Sequence, residues 1–234
     1  MITVLVHGAW MDARWWKLVE EYLPEPRFAI NLPGHGLDTT PAGALSLDLY
    51  VETVVSAIAQ APEPVTLVGH SFGGIVISQV AEAIPAKVRR LIYLAAYLPR
   101  HGQSLSELAG LDQKSLAGPE LRPAADWSTL DVAENSRREL FFHDVPDDVA
   151  AIRLGEWKPE PGPPLTTPVR LTEANFGSIP RWYIHTDQDR VVSPALQHQM
   201  VENSPVEARF WLDCGHAAML ARPAELAEIL TKAR

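Results

Sequence analysis

A chain of 234 residues with 47% apolar side chains can bury a core without disulfide or metal staples, which excludes the small stapled folds and the disordered class. Its formal charge of −9, with Lys and Arg never clustered beyond the pairs Arg89-Arg90 and Arg137-Arg138, argues against nucleic acid as a partner. No apolar run approaches the roughly 20 residues that cross a bilayer, and the first residues read as a strand without a basic leader. The lone cysteine, Cys214, suits a reducing compartment. A soluble, cytoplasmic protein with no membrane partner is expected.

In chain order, β-branched and aromatic runs alternate with helical patterns. Strands are expected at 2–6, 28–31, 65–69, 89–96, 181–185 and 208–212. Most are apolar on both faces, as parallel strands covered by helices are. Helices are expected near 13–22, 47–60, 73–83, 194–203 and 223–233. Ser46 and Ser193 supply capping oxygens, and Pro223 suits a first turn. The pattern predicts an α/β protein with a doubly wound, mostly parallel six-stranded sheet. Its core would be 1–97 and 179–234.

Residues 98–178 break the rhythm and read as an inserted cap or lid. Proline is frequent, no convincing strand appears, and "KPEPGPPLTTP" (158–168) reads as irregular because proline removes donors. Helical pieces are expected at 104–111, 133–142 and 146–154, so the insertion is mostly helical.

"TLVGHSFGGIVISQV" (66–80) holds Gly69-His70-Ser71-Phe72-Gly73, a G-x-S-x-G pattern between a strand and a helix. Such a turn presents a serine Oγ and aims the following helix N-terminus at it, so developing negative charge is favoured. A serine hydroxyl attacks only when a base takes its proton. In nucleophile elbows the acid and then the histidine follow the serine along the chain. His216, in the loop "DCGHAAML" after the last strand, is the best base. His185, His198, His101 and His143 are weaker, and His35, in the "NLPGHG" turn expected at the site mouth, reads as structural. Asp189 is favoured over Asp187 as the acid, because the segment "RVVSP" after it anchors its loop. An oxyanion needs two N–H donors, and Phe72 and Ala9 of "HGAW" stand in suitable loops. The pocket is expected to draw on Gly8, Trp10, His70, Trp127 and Ala217, and Trp15, Trp16 and Trp157 are further candidates. No metal and no cofactor is called for.

These pieces resemble the α/β-hydrolase superfamily nearly end to end. "LVHGAW", "LVGHSFGG", "LAAYLPRHGQSL", "FGSIPRWYIHTDQDRVVSPALQHQM" and "GHAAMLARPAEL" look like the branch of plant methylesterases, hydroxynitrile lyases and bacterial pyrethroid-hydrolase-like carboxylesterases. The resemblance is weakest over about 112–165. It implies a triad of Ser71, Asp189 and His216, and oxyanion donors at Ala9 and Phe72. Lyases of this type carry threonine where this chain has Gly8 and lysine where it has Ala217, so the resemblance implies an esterase. The plant methylesterases usually carry methionine at the latter position, which argues against a plant-hormone ester. The expected activity is hydrolysis of small to medium apolar carboxylic esters through an acyl-enzyme. Cyanohydrin-type C–C cleavage and a ligand-binding receptor with little turnover are the alternatives. The expected partner is a small-molecule ester, and a homodimer stays open.

Overall fold

In the computed structural model, which describes residues 2–233, six parallel strands form one sheet in the order β2-β1-β3-β4-β8-β9. They are β1 (Thr3–Val6), β2 (Arg27–Ile30), β3 (Val65–His70), β4 (Val88–Leu94), β8 (Arg181–Thr186) and β9 (Ala208–Leu212). Met1 and Arg234, the ends of the expected core, lie outside the described residues. Every pairing is parallel: Val6 lies opposite Gly69 across β1 and β3, and His70 opposite Leu94 across β3 and β4. The central strands β1 and β3 are buried along their whole length. That explains why their sequences are apolar runs rather than alternating ones.

The crossover helices follow local rules. Ser46 accepts from Leu49 N–H at 3.1 Å and opens the helix Leu47–Ala59, whose buried Leu47, Tyr50, Val51, Val54 and Ile58 form one helical stripe. Ser193 caps the helix Pro194–Asn203 in the same way, and the last helix begins at Pro223. The helix expected at 13–22 is instead a 3₁₀ turn, Ala13–Trp16, running into the short helix Lys17–Glu20. Asp12 caps this turn, and Trp15 and Trp16 point into the core.

The segment between β4 and β8 corrects one expectation. It holds short helices at Leu105–Gly110, Glu134–Phe141, Asp147–Gly155 and Gly162–Thr166. It also holds an antiparallel sheet of β5 (Leu121–Pro123), β6 (Thr129–Val132) and β7 (Glu160–Pro161), where no strand was expected. These strands are two to four residues long, too short for alternation to register. Their prolines, Pro123 and Pro161, sit on the two outer strands, where a missing ladder donor is tolerated. The "KPEPGPPLTTP" stretch is likewise not irregular throughout. Pro163 and Pro164 occupy the first turn of the helix Gly162–Thr166, where helical N–H groups lack partners anyway.

Candidate active site

β3 ends at His70 and the helix Gly73–Ala83 begins three residues later, so Ser71 and Phe72 make the whole turn. Ser71 has φ +52, a left-handed conformation that non-glycine residues rarely adopt and that costs of order 1–3 kcal/mol. The turn stays closed because its neighbours lack bulk. A Cβ on Gly73 would lie 2.7 Å from Val6 O, on the strand alongside. Ser71 N–H donates to Leu94 O at 3.2 Å and its carbonyl accepts from Tyr97 N–H at 3.1 Å, tying the elbow to the end of β4.

His216 sits fully buried in the loop after β9. Its Nδ1 lies 2.8 Å from Asp189 Oδ2, and Asp189 is itself buried after β8. A carboxylate only accepts, so Nδ1 carries the proton and Nε2 presents a lone pair. That Nε2 has no hydrogen-bond partner among the described residues. Asp189 is locked by four further donors. Oδ2 also accepts from Thr186 Oγ1 at 3.0 Å and Gln197 Nε2 at 3.2 Å, and Oδ1 accepts from Val191 and Val192 N–H at 2.8 and 3.0 Å. Asp187, the other carboxylate of this loop, is exposed.

His70, next to Ser71, joins the two halves. Its ring lies 4.6 Å from that of His216, and its Nε2 donates to His216 O at 2.9 Å. The first-strand loop approaches from the other side, where a Cβ on Gly8 would stand 2.8 Å from Ser71 Cβ. Ala9 and Phe72 flank Ser71, and neither backbone N–H has an acceptor among the described residues. The structure thus brings Ser71, Asp189, His216, Ala9, Phe72, Gly8 and His70 together. His198 and His101 are exposed, His185 is buried against Tyr183, His198 and Trp211, and His143 packs against Gly215.

Above Ser71 opens a cavity of about 400 Å³, lined by Ala9, Trp10, Ser71 and Val191 of the sheet framework and by Leu105, Leu130 and Leu165 of the segment between β4 and β8, among others. The carboxylate in its wall, Asp112, is saturated: it accepts from Ser193 Oγ, Ser193 N–H, Lys114 N–H and Ser115 N–H. Trp10 and Trp127 line this cavity. Gly8, His70 and Ala217 lie behind the lining, and Trp15 and Trp16 belong to the core. Trp157 stacks on Trp10 with ring centres 5.8 Å apart, and Phe141 stands edge-on to both Trp10 and His216. The "NLPGHG" turn does not line the mouth. His35 is buried instead against Glu160 of β7, 2.9 Å from its Oε2.

Trp127, 69% exposed, also borders a second cavity of about 230 Å³ that shares Ser106, Leu130 and Leu165 with the first. Trp127→Ala is expected to merge the two. The check is kcat/KM across p-nitrophenyl esters of rising acyl length, where preference should move several-fold toward longer chains, each buried methylene being worth about 0.8 kcal/mol.

The buried histidines make stability depend on pH. Burial lowers the pKa of His7 from 6.5 to about 3, His35 adding repulsion, and burial together with His216 holds His70 well below the usual range. His7 Nδ1–H donates to Gly8 O at 2.9 Å and Nε2 accepts from Leu32 N–H at 3.1 Å, which fixes a neutral ring. Below about pH 6.5 the unfolded chain takes up protons these rings refuse in the native state, so their contribution falls with falling pH, for His7 down to about pH 3. Urea midpoints should drop between pH 7 and pH 5, and the drop should shrink in His7→Gln.

A six-stranded parallel sheet, a strained serine at the end of its third strand and an aspartate–histidine pair on the loops beside it define the α/β-hydrolase class. The chain belongs to the α/β hydrolase family, whose model matches residues 3–229. It is 31% identical over 246 residues to putative methylesterase 11 of Arabidopsis thaliana, covering 97% of this chain and 62% of that protein. To the alpha-hydroxynitrile lyase of the same plant it is 27% identical, covering 96% and 92% of the two chains. The solved structure of a pyrethroid hydrolase from Sphingobium faniae JZ-2 superimposes with a TM-score of 0.88 at 26% identity, covering 99% and 96%. This chain spans only about three-fifths of methylesterase 11, and 55% of a second plant methylesterase that it matches. At the level of the family, esterase-type hydrolysis is thus well represented among its relatives, beside a lyase.

Proposed function

We propose that this chain is a cofactor-independent serine carboxylesterase for small to medium, mainly apolar esters. The observation that carries the reading is the His216–Asp189 pair, with Nδ1 committed to the carboxylate and Nε2 unpaired, beside a strained Ser71 that opens into an apolar cavity. His216 Nε2 takes the Ser71 hydroxyl proton as Oγ attacks the ester carbonyl carbon. The carbonyl π pair moves to oxygen, and the Ala9 and Phe72 N–H groups hold that oxyanion. Collapse expels the alcohol, which takes the proton from His216, and leaves an acyl group on Ser71. Water, deprotonated by the same Nε2, then releases the acid and restores Ser71. Asp189 keeps the imidazole in the productive tautomer and balances its charge when protonated.

Lyase chemistry on cyanohydrins needs a positive charge for departing cyanide. Ala217, buried beside His216, brings none, and Gly8 brings no hydroxyl. The test compares the purified protein on p-nitrophenyl butyrate and on mandelonitrile. Ester hydrolysis well above the uncatalysed rate, with negligible benzaldehyde release, is the expected result. Benzaldehyde release exceeding ester hydrolysis would replace this reading with the lyase.

A further inference from the structure

Glu160 is a buried carboxylate in a stretch with no expected structure, and it reaches across to the loop after β1. Its Oε2 accepts from Trp10 N–H at 2.7 Å and lies 2.9 Å from His35 Nε2. His35 Nδ1 is 3.0 Å from Pro33 O, which can only accept. Both ring nitrogens therefore face acceptors, the arrangement of an imidazolium held by a carboxylate. Burial works against that charge, but the charge and hydrogen bond of Glu160, together with the backbone hydrogen bonds to Pro33 and Leu32, raise the pKa of His35.

The anchored residue is unusual. Trp10 has φ +61, a conformation that a bulky side chain adopts only when its surroundings impose it. Three contacts impose it here: the main-chain bond to Glu160, the indole Nε1–H donating to Leu130 O at 2.9 Å, and the stack on Trp157. All three partners come from the segment between β4 and β8. Ala9 is therefore held from both sides, with Gly8 against Ser71 Cβ and the Ala9–Trp10 peptide pinned at its N–H.

We infer that Glu160 is a positioning residue that sets the oxyanion hole, fixing the main chain of Trp10 so that the neighbouring Ala9 N–H points at the developing oxyanion. This inference rests on the esterase reading above. It makes the inserted segment part of the catalytic geometry as well as a cover for the pocket. Glu160 touches no reacting atom, and its effect passes through one peptide plane.

The experiment uses the whole protein with Glu160→Gln, Glu160→Asp and Glu160→Leu. Gln keeps an oxygen at the reach Trp10 N–H requires, Asp keeps the charge but falls one methylene short, and Leu keeps neither. With p-nitrophenyl butyrate, Gln should stay within about threefold of wild-type kcat, while Asp falls at least tenfold and Leu further, toward the loss of about 10²–10³ seen when an oxyanion donor is removed outright. KM should stay within about twofold throughout, because the lost contact acts on the transition state. Affinity for a trifluoromethyl ketone, which forms a tetrahedral adduct on the serine, should weaken by the same factors as kcat/KM. Wild-type kcat in Asp would overturn the inference, and so would an Asp variant more active than Gln, since charge pairing with His35 would then be what matters. If Leu does not fold, the Gln–Asp pair decides alone. A wild type that hydrolyses no ester sinks the esterase reading and this one with it, whereas an active wild type with indifferent variants sinks only this one.

Discussion

Asn at position 189 should lower kcat by about 10⁴ and destabilise the fold by several kcal/mol. The rate loss follows from the tautomer. His216 Nδ1–H now donates to a carboxylate, and an amide nitrogen turned toward the ring would favour the form with its proton on Nε2, which cannot accept the Ser71 proton. The stability loss follows from counting donors. Oδ1 faces the N–H groups of Val191 and Val192, while Oδ2 faces Thr186 Oγ1, Gln197 Nε2 and His216. Whichever way the amide turns, its NH₂ meets donors in a buried site, and each unsatisfied group costs about 1–3 kcal/mol. Steady-state kinetics and urea denaturation of Asp189→Asn measure the two effects separately. A variant within tenfold of wild-type kcat would remove Asp189 from the mechanism.

The second large effect concerns Ser71 and His216 taken together. Ser71→Ala and His216→Ala should each lower kcat by about 10⁴–10⁶, and the double variant should be little worse than either, because the two groups act as one unit. Ser71→Ala should keep the wild-type melting temperature, since the side chain removed makes no hydrogen bond that holds the elbow; the turn is tied by its backbone to Leu94 and Tyr97. Full additivity of the two losses would mean that His216 does not serve Ser71.

The parts that could be read from the sequence are those governed by short-range rules. Strands β1 and β3 announce themselves as apolar runs because both faces are covered, and Ser46 and Ser193 mark helix starts because their oxygens meet orphan N–H groups. The candidate site was legible for a related reason. A serine flanked by glycines at a strand end, an aspartate before an anchoring apolar segment and a histidine in a late loop each sit where the sheet's crossovers deliver them.

Legibility failed where partners distant in sequence decide the structure. Glu160 and Pro161 become a strand only because β6 lies alongside, and nothing within the proline-rich stretch signals that pairing. Glu160 carries no local mark of its tie to Trp10, 150 residues away. Tryptophans mislead for the opposite reason. Trp15 and Trp16 look like pocket candidates beside Trp10, but the 3₁₀ turn at Ala13–Trp16 directs them into the core. His35 shows both sides. Its structural character was legible, while its burial against Glu160 rather than at the site mouth was not.

The role of Ser71 as nucleophile is tested most directly by intact-protein and peptide mass spectrometry after reaction with a fluorophosphonate. Attack by Ser71 Oγ on phosphorus expels fluoride and leaves a stable phosphonyl adduct. One equivalent of label is expected on the peptide carrying Ser71, none in Ser71→Ala and strongly slowed labelling in His216→Ala. A folded wild type that stays unlabelled and hydrolyses no ester, or that carries its label on another residue, would contradict that role.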